Sequence, residues 1–132
     1  MNVQEDIKKM KKIQHHILKF LDQEKDQEEV FQSINQEIKD QISKDSYLFR
    51  TFLYMLSKIL NNHYHYPNFF IKMEKIILNH KREINENFTN KEIYKIFEKS
   101  PKFLLFLFKE EIIELDEETF NIMMPRNIIY LF

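Results

Sequence analysis

The segment that decides the fold is Ser46-Tyr47-Leu48-Phe49-Arg50-Thr51-Phe52-Leu53-Tyr54-Met55-Leu56-Ser57-Lys58-Ile59-Leu60. Its apolar residues recur at helical spacing and cover most of the circumference of a helix. Ser46 or Asp45 provides a capping side chain at its start. The segment therefore predicts a third helix at the centre of the fold, on which the remaining helices pack.

Amphipathic helices are predicted on both sides of this segment. Apolar spacing predicts a first helix over about residues 3–23, and Asp26 with Glu29 opens a second helix that runs through Ile42. Four later helix starts are marked by a capping residue or by proline in the first turn: Pro67, Thr89 with Glu92, Ser100 with Pro101, and Asp116 with Glu117 and Glu118. The helix after Ser100 is expected to reach about Glu111, and Pro125 is expected to end the last one. Only the short apolar run at residues 128–132 leaves room for a strand.

These elements predict an all-α protein of about six to seven antiparallel helices. Short connections are compatible with a compact bundle or with a short stack of helical hairpins, and we favour the ankyrin-like, solenoid-like stack for the second half. A chain of 132 residues has the size of one domain, so we expect a single domain over residues 1–132.

Composition excludes several classes of function. A formal net charge of -1 gives no electrostatic case for binding nucleic acid or an anionic membrane. The absence of cysteine excludes disulfides, thiol nucleophiles and zinc-thiolate sites, and the absence of glycine excludes phosphate-binding loops and nucleophile elbows. No apolar run is long enough for a secretory signal or a membrane span, so a cytoplasmic location is expected. No cofactor is predicted.

The lack of glycine, together with heavy use of Lys, Asn, Ile and Phe, indicates an A/T-rich genome. Left-handed backbone positions are then expected to fall to asparagine. We interpret five asparagines as helix stops on this ground: Asn61, Asn62, Asn79, Asn85 and Asn87.

The connection between the third and fourth helices has the most specific residue order in the chain. Seven of its residues are assigned to a structural turn: Asn61, Asn62, His63, Pro67, Asn68, Phe69 and Phe70. Tyr64, His65 and Tyr66 have no such structural explanation. Because tyrosines in turns provide interface area at low entropic cost, these three residues are the candidate contacts with a protein partner.

The same connection carries a resemblance to a known family. Three pieces match in order: Leu56-Ser57-Lys58-Ile59, Asn61-Asn62-His63 and Pro67-Asn68-Phe69-Phe70; Phe88-Thr89-Asn90-Lys91-Glu92-Ile93-Tyr94 and Phe103-Leu104-Leu105-Phe106-Leu107 follow. Over roughly residues 10 to 120 the chain resembles the helical domain of unknown function that precedes ankyrin repeats in large protein families of flagellate protists. The resemblance implies an accessory module of interaction proteins, with no activity or cofactor. Tyr64 and Tyr66 depart from the pattern, and no Thr-Pro-Leu-His ankyrin motif occurs.

The apolar chain end, Ile128-Ile129-Tyr130-Leu131-Phe132, leaves two alternatives. Either the sequence is a piece of a longer ankyrin-repeat protein, or the end docks on the core. The sequence contains no pattern that predicts the oligomeric state of the protein.

Residues able to carry catalysis are few. His63 and His65 are close enough in sequence to share a metal ion, but His80 lies too far along the following helix to complete the site. His15 and His16 point in different directions on one helix. The acidic run around Glu114 is typical of a solvated helix boundary.

Our leading hypothesis is therefore a non-enzymatic helical scaffold or protein–protein interaction module. Two alternatives stay open. One is a metal-dependent or hydrolytic enzyme that uses His63 and His65. The other is a groove-bearing all-α adaptor of the apoptosis-regulator type, which predicts an open groove beside the central helix.

Overall fold

The fold is all-α, as the sequence predicts. A computed structural model describes residues 3–22, 28–63 and 69–131, and these ranges contain no strand. Their α-helices are α1 (Val3–Asp22), α2 (Glu28–Glu37), α3 (Ser46–His63), α4 (Phe69–Asn79), α5 (Lys81–Asn87), α6 (Asn90–Phe97), α7 (Pro101–Lys109), α8 (Glu117–Ile122) and α9 (Pro125–Leu131). Contacts divide the chain into two compact units, residues 1–79 and 80–132, which are described separately. The expectation of a single domain stays a prediction.

The first unit is built around α3, which packs against both α1 and α4. The side chains of Phe49, Phe52 and Leu56 are buried, so the predicted central position of this helix is confirmed within its unit. Asp45, one of the two capping candidates, accepts hydrogen bonds at Oδ1 from the backbone N–H groups of Tyr47 and Leu48. The cap satisfies two N–H groups that have no partner inside the helix.

Helices α1 and α2 run antiparallel. The Phe20 and Phe31 rings stack with centroids 5.9 Å apart, and Lys12 Nζ lies 3.2 Å from Glu37 Oε1. The C-terminal end of α1 is capped from α4 by the buried Lys72, whose Nζ donates a 2.8 Å hydrogen bond to the Phe20 carbonyl oxygen. A cation at this position satisfies a terminal carbonyl and complements the helix dipole.

The second predicted helix changes its winding before it ends. Residues Ile38–Ile42 form a π-helical turn, closed by a 2.8 Å bond from Ser43 N–H to the Ile38 carbonyl oxygen. Ile34, Ile38 and Ile42 are all buried and lie four residues apart. In an α-helix, this spacing turns by about 40° at each step, so the wider π turn keeps the three side chains on one buried face.

The second unit has α6 in contact with α7 and α8, and α7 in contact with α9. The predicted capping box is confirmed: Glu92 N–H donates to Thr89 Oγ1, and the Glu92 carboxylate accepts from Thr89 N–H. The predicted cap at Asp116 is also confirmed, because Asp116 Oδ1 accepts a 2.7 Å bond from Thr119 N–H. Ser100 stands at the N-cap of α7 with Pro101 in the first turn, although the serine side chain makes no capping bond.

A buried polar cluster joins α6 to the start of α9. The Tyr94 hydroxyl accepts hydrogen bonds from Met124 N–H and from Asn127 Nδ2, both at 2.9 Å. Asn127 Nδ2 also donates to the Glu98 carbonyl oxygen at 3.0 Å. These bonds fix the end of the chain against α6.

The predicted helix stops at Asn79 and Asn87 are confirmed, since α4 ends at Asn79 and α5 ends at Asn87. The predicted boundaries near the end of the chain are not. Pro125 begins α9 instead of only ending the previous helix, since proline is tolerated in a first turn, and residues 128–131 are helical, which excludes a strand there. Helix α7 ends at Lys109, close to the predicted end at about Glu111.

The expectation for left-handed positions is also wrong in the described ranges. The residue with positive φ there is Glu111, at 59°, and no asparagine shares this conformation. Ile112 N–H bonds to the Leu107 carbonyl oxygen and Glu111 N–H to that of Phe108. This pattern is a Schellman motif, which places its left-handed residue just after the helix and buries the next apolar one, here Ile112.

Candidate docking groove

The sequence-predicted contact residues Tyr64, His65 and Tyr66 lie outside the described residues, as do Pro67 and Asn68. Asn61 and Asn62 are exposed in the last turn of α3, which continues through both and ends at His63. Phe69 and Phe70 begin α4, and Phe70 is half-buried. The proposed roles of this connection stay predictions.

The histidines with described side chains do not converge. His15 and His16 have ring centroids 6.2 Å apart, and His16 Nδ1 lies 3.4 Å from Glu37 Oε2. His80 is buried at the start of α5, in the other unit. Among the described residues, no three side chains of the metal-ligating types come together.

The first unit has an open apolar groove between α1 and α3. It has a volume of about 280 Å³. The lining residues from α1 are Val3, Asp6, Ile7, Met10, Lys11 and Gln14, and those from α3 are Tyr47, Leu48, Thr51 and Met55. The groove lies beside the central helix, where the adaptor hypothesis expects one.

The groove exists because α1 carries a wider apolar surface than the core covers. Ile13, Ile17 and Phe20 are buried in the core. Val3, Ile7 and Met10 form a second stripe at spacings of four and three residues, displaced around the helix from the first. This stripe stays open: Val3 is 62% exposed and Ile7 is 48% exposed.

Two lysines lie at the groove. Lys11 lines it, and Lys58 follows Met55 by one turn on α3. Neither lysine has an ion-pair partner in the described part of the chain, whereas Lys12 contacts Glu37 of α2. Asp6 is the acidic residue among the lining side chains.

Three lining side chains are of types that adapt to a partner. Met10 and Met55 are flexible and polarizable, so they can fill irregular gaps against different surfaces. Tyr47 is 60% exposed and offers both an aromatic face and a hydroxyl, a combination that is frequent at protein interfaces. The groove is therefore chemically suited to an apolar helix face.

Apolar spacing places Val3, Ile7 and Met10 in the first helix together with the residues that are buried in the core. Helical periodicity alone cannot distinguish a covered stripe from an open one. The width of the apolar surface of α1 is the signal that could have identified the groove. Ile13, Ile17 and Phe20 already fill one face of this helix, so Val3, Ile7 and Met10 make its apolar surface wider than one face.

No family model, curated protein or solved structure matches this chain. The resemblance to the ankyrin-associated helical domain therefore stays a prediction. None of the described helices is both long and apolar enough to cross a membrane.

Proposed function

We propose that the protein is a non-enzymatic helical protein–protein interaction module that binds an acidic amphipathic helix of a partner in the α1–α3 groove. The observation that carries the proposal is the groove itself: it is apolar, has a volume of about 280 Å³, lies beside the central helix and includes Lys11 in its lining. Helix-in-groove recognition uses this arrangement, with apolar anchors at i, i+3, i+4 and i+7 of the bound helix.

The charge of the partner follows from the groove edge. Lys11 and Lys58 would meet glutamates that flank the apolar face of a bound helix. Exposed pairs of this kind add little affinity, but they steer the encounter and select against a basic partner. The apolar anchors provide most of the binding free energy.

Two further parts of the proposal, the scaffold context and a second contact, rest on the sequence alone. Membership of an ankyrin-type scaffold is supported by the sequence resemblance alone. Tyr64, His65 and Tyr66 are proposed as a separate contact, on the basis of their residue types. All lining residues of the groove lie in the described ranges, so substitutions in the groove can test the proposal.

The test is a titration of the protein with a labelled synthetic helix of leucine and glutamate, with leucines at i, i+3, i+4 and i+7. Ile7→Glu should weaken binding by at least about tenfold, because it places a carboxylate among the apolar anchors and beside the glutamates of the probe. Ile71→Glu is the matched control, since Ile71 is 63% exposed on α4 and does not line the groove. Its binding should equal that of the wild type. If the two variants behave alike, the groove is not the binding site.

A further inference from the structure

The second unit has its own surface cavity, which differs in charge from the groove. It has a volume of about 430 Å³ and is lined by Phe108, Ile113, Leu115 and Leu131 together with Glu111 and Glu114. Ile113 is almost fully buried, so its side chain belongs to the floor, whereas Leu115 is 44% exposed. The cavity is apolar inside, and two carboxylates line it.

The two carboxylates that line this cavity have no neutralising partner in the described ranges. Glu111 and Glu114 are exposed and their side chains make no hydrogen bond or ion pair there, and the same is true of Glu110 and Glu117, which are close to them in sequence. Two neighbouring acids differ: Glu118 lies 3.5 Å from Lys91, and Asp116 accepts a bond from Asn90. The residues from 110 to 118 contain no basic side chain, and Lys109 precedes them. The two lining carboxylates therefore give the cavity a negative edge, although the chain as a whole is almost neutral.

Hydrogen bonds of the backbone and of the Asn90 side chain fix the segment that carries these carboxylates. The Schellman bond from Ile112 N–H to the Leu107 carbonyl oxygen, 2.9 Å long, fixes its start. Glu114 N–H donates to Asn90 Oδ1 at 3.1 Å, and Asn90 Nδ2 donates to Asp116 Oδ2 at 3.1 Å, which fixes its end. Ile112 and Ile113 are buried between these points. A rim ordered before binding loses less conformational entropy when a partner arrives.

We propose that this cavity is a second docking site, and that its occupant is a basic amphipathic segment of a partner protein. Leucine-sized anchors would enter between Phe108 and Leu131, and lysines or arginines would lie over Glu111 and Glu114. The charge complementarity of the edge identifies the occupant, because an acidic segment or a nucleic acid would be repelled by the same carboxylates. The protein would then bridge two partners of opposite charge.

The test uses a labelled synthetic helix of leucine and lysine, of the same length as the leucine–glutamate probe, titrated separately into the full chain. The double variant Glu111→Gln, Glu114→Gln should weaken binding by about fivefold or more, which corresponds to the loss of two favourable charge contacts. The double variant Glu29→Gln, Glu83→Gln changes the net charge equally and removes two carboxylates that lie outside the cavity, of which Glu29 is exposed and Glu83 is half-buried. It should bind as the wild type does.

A second pair of variants tests the apolar part of the site. Leu115→Gln should weaken binding of the leucine–lysine probe, and Leu78→Gln should not, since Leu78 has a similar exposure of 41% but lies on α4. Equal losses in both members of either pair would overturn the proposal. So would self-association of the protein alone that the cavity variants abolish, because it would assign this surface to a second copy of the chain.

This inference stands apart from the proposed function. Ile7→Glu should leave binding of the leucine–lysine probe unchanged, and the Glu111→Gln, Glu114→Gln variant should leave binding of the leucine–glutamate probe unchanged. If the variants of one site fail to weaken binding of their own probe, only the proposal for that site is rejected.

Discussion

At the scale of single residues, Glu111 occupies a backbone position that favours glycine. Its φ of 59° lies in the left-handed region, where a side chain with a Cβ costs about 1 kcal/mol relative to the right-handed conformation. Glycine has no such cost but loses more chain entropy on folding. In a chain without glycine, a glutamate at this position combines the turn with a charge at the edge of the acidic cavity.

Glu111→Gly should therefore raise the free energy of unfolding by a few tenths to about 1 kcal/mol. Urea unfolding followed by circular dichroism measures the change. Glu110→Gly is the control, because Glu110 has φ of -89° at the end of α7, where glycine adds only its entropic cost and should destabilise. A Glu111→Gly protein that is less stable than the wild type would contradict this account of the turn.

At the scale of an element, the start of α8 depends on one carboxylate. Hydrogen bonding from Thr119, and after it from the Asn90 amide, holds the pKa of Asp116 below its ordinary value. A carboxyl group whose pKa is lower in the folded state stabilises the fold above its unfolded-state pKa of about 3.9. This contribution is lost as the pH falls through the lower folded-state pKa.

Asp116→Asn should reduce the loss of stability on acidification. Asparagine is also a good capping residue and can accept the same bond from Thr119 N–H, so the helix start should be retained near pH 7. Between about pH 5 and about pH 2, the unfolding free energy of the wild type should fall more steeply than that of the variant. Urea unfolding at a series of pH values gives both curves. If the curves run parallel, Asp116 does not contribute to the acid sensitivity.

The elements also show what the sequence could predict and what it could not. Thr89 and Asp116 were identified correctly, because a cap depends on residues only three positions apart. The π turn at Ile38–Ile42 was missed, since packing against other helices decides it and propensity does not. The residues that line the groove were not identified for a related reason: periodicity shows that Ile7 belongs to an apolar stripe, but only the fold shows that none of the described helices covers it.

At the scale of the whole molecule, a formal net charge of -1 conceals two surfaces of opposite sign. Lys11 and Lys58 lie at the groove in the first unit, and Glu111 and Glu114 line the cavity in the second unit. None of the four has an ion-pair partner among the described residues. Two mechanisms of binding then make different predictions. If net charge controlled association, the leucine–lysine probe would be weakly attracted and the leucine–glutamate probe weakly repelled.

Local charges predict that salt weakens the binding of both probes. Raising the salt concentration from about 50 mM to about 500 mM shortens the screening length to less than half, so each probe loses the attraction of the edge that it faces. Under control by net charge, the same change would weaken binding of the lysine probe and strengthen binding of the glutamate probe. Titrations of the full chain at several salt concentrations distinguish the two mechanisms.

Each probe has its own charge variant as a control. The control is Lys11→Gln with Lys58→Gln for the leucine–glutamate probe, and Glu111→Gln with Glu114→Gln for the leucine–lysine probe. Both variants should show a flatter dependence of binding on salt than the wild type. A glutamate probe that binds more tightly at high salt would reject a basic groove edge as the source of its attraction, because screening can strengthen binding only where the charges repel.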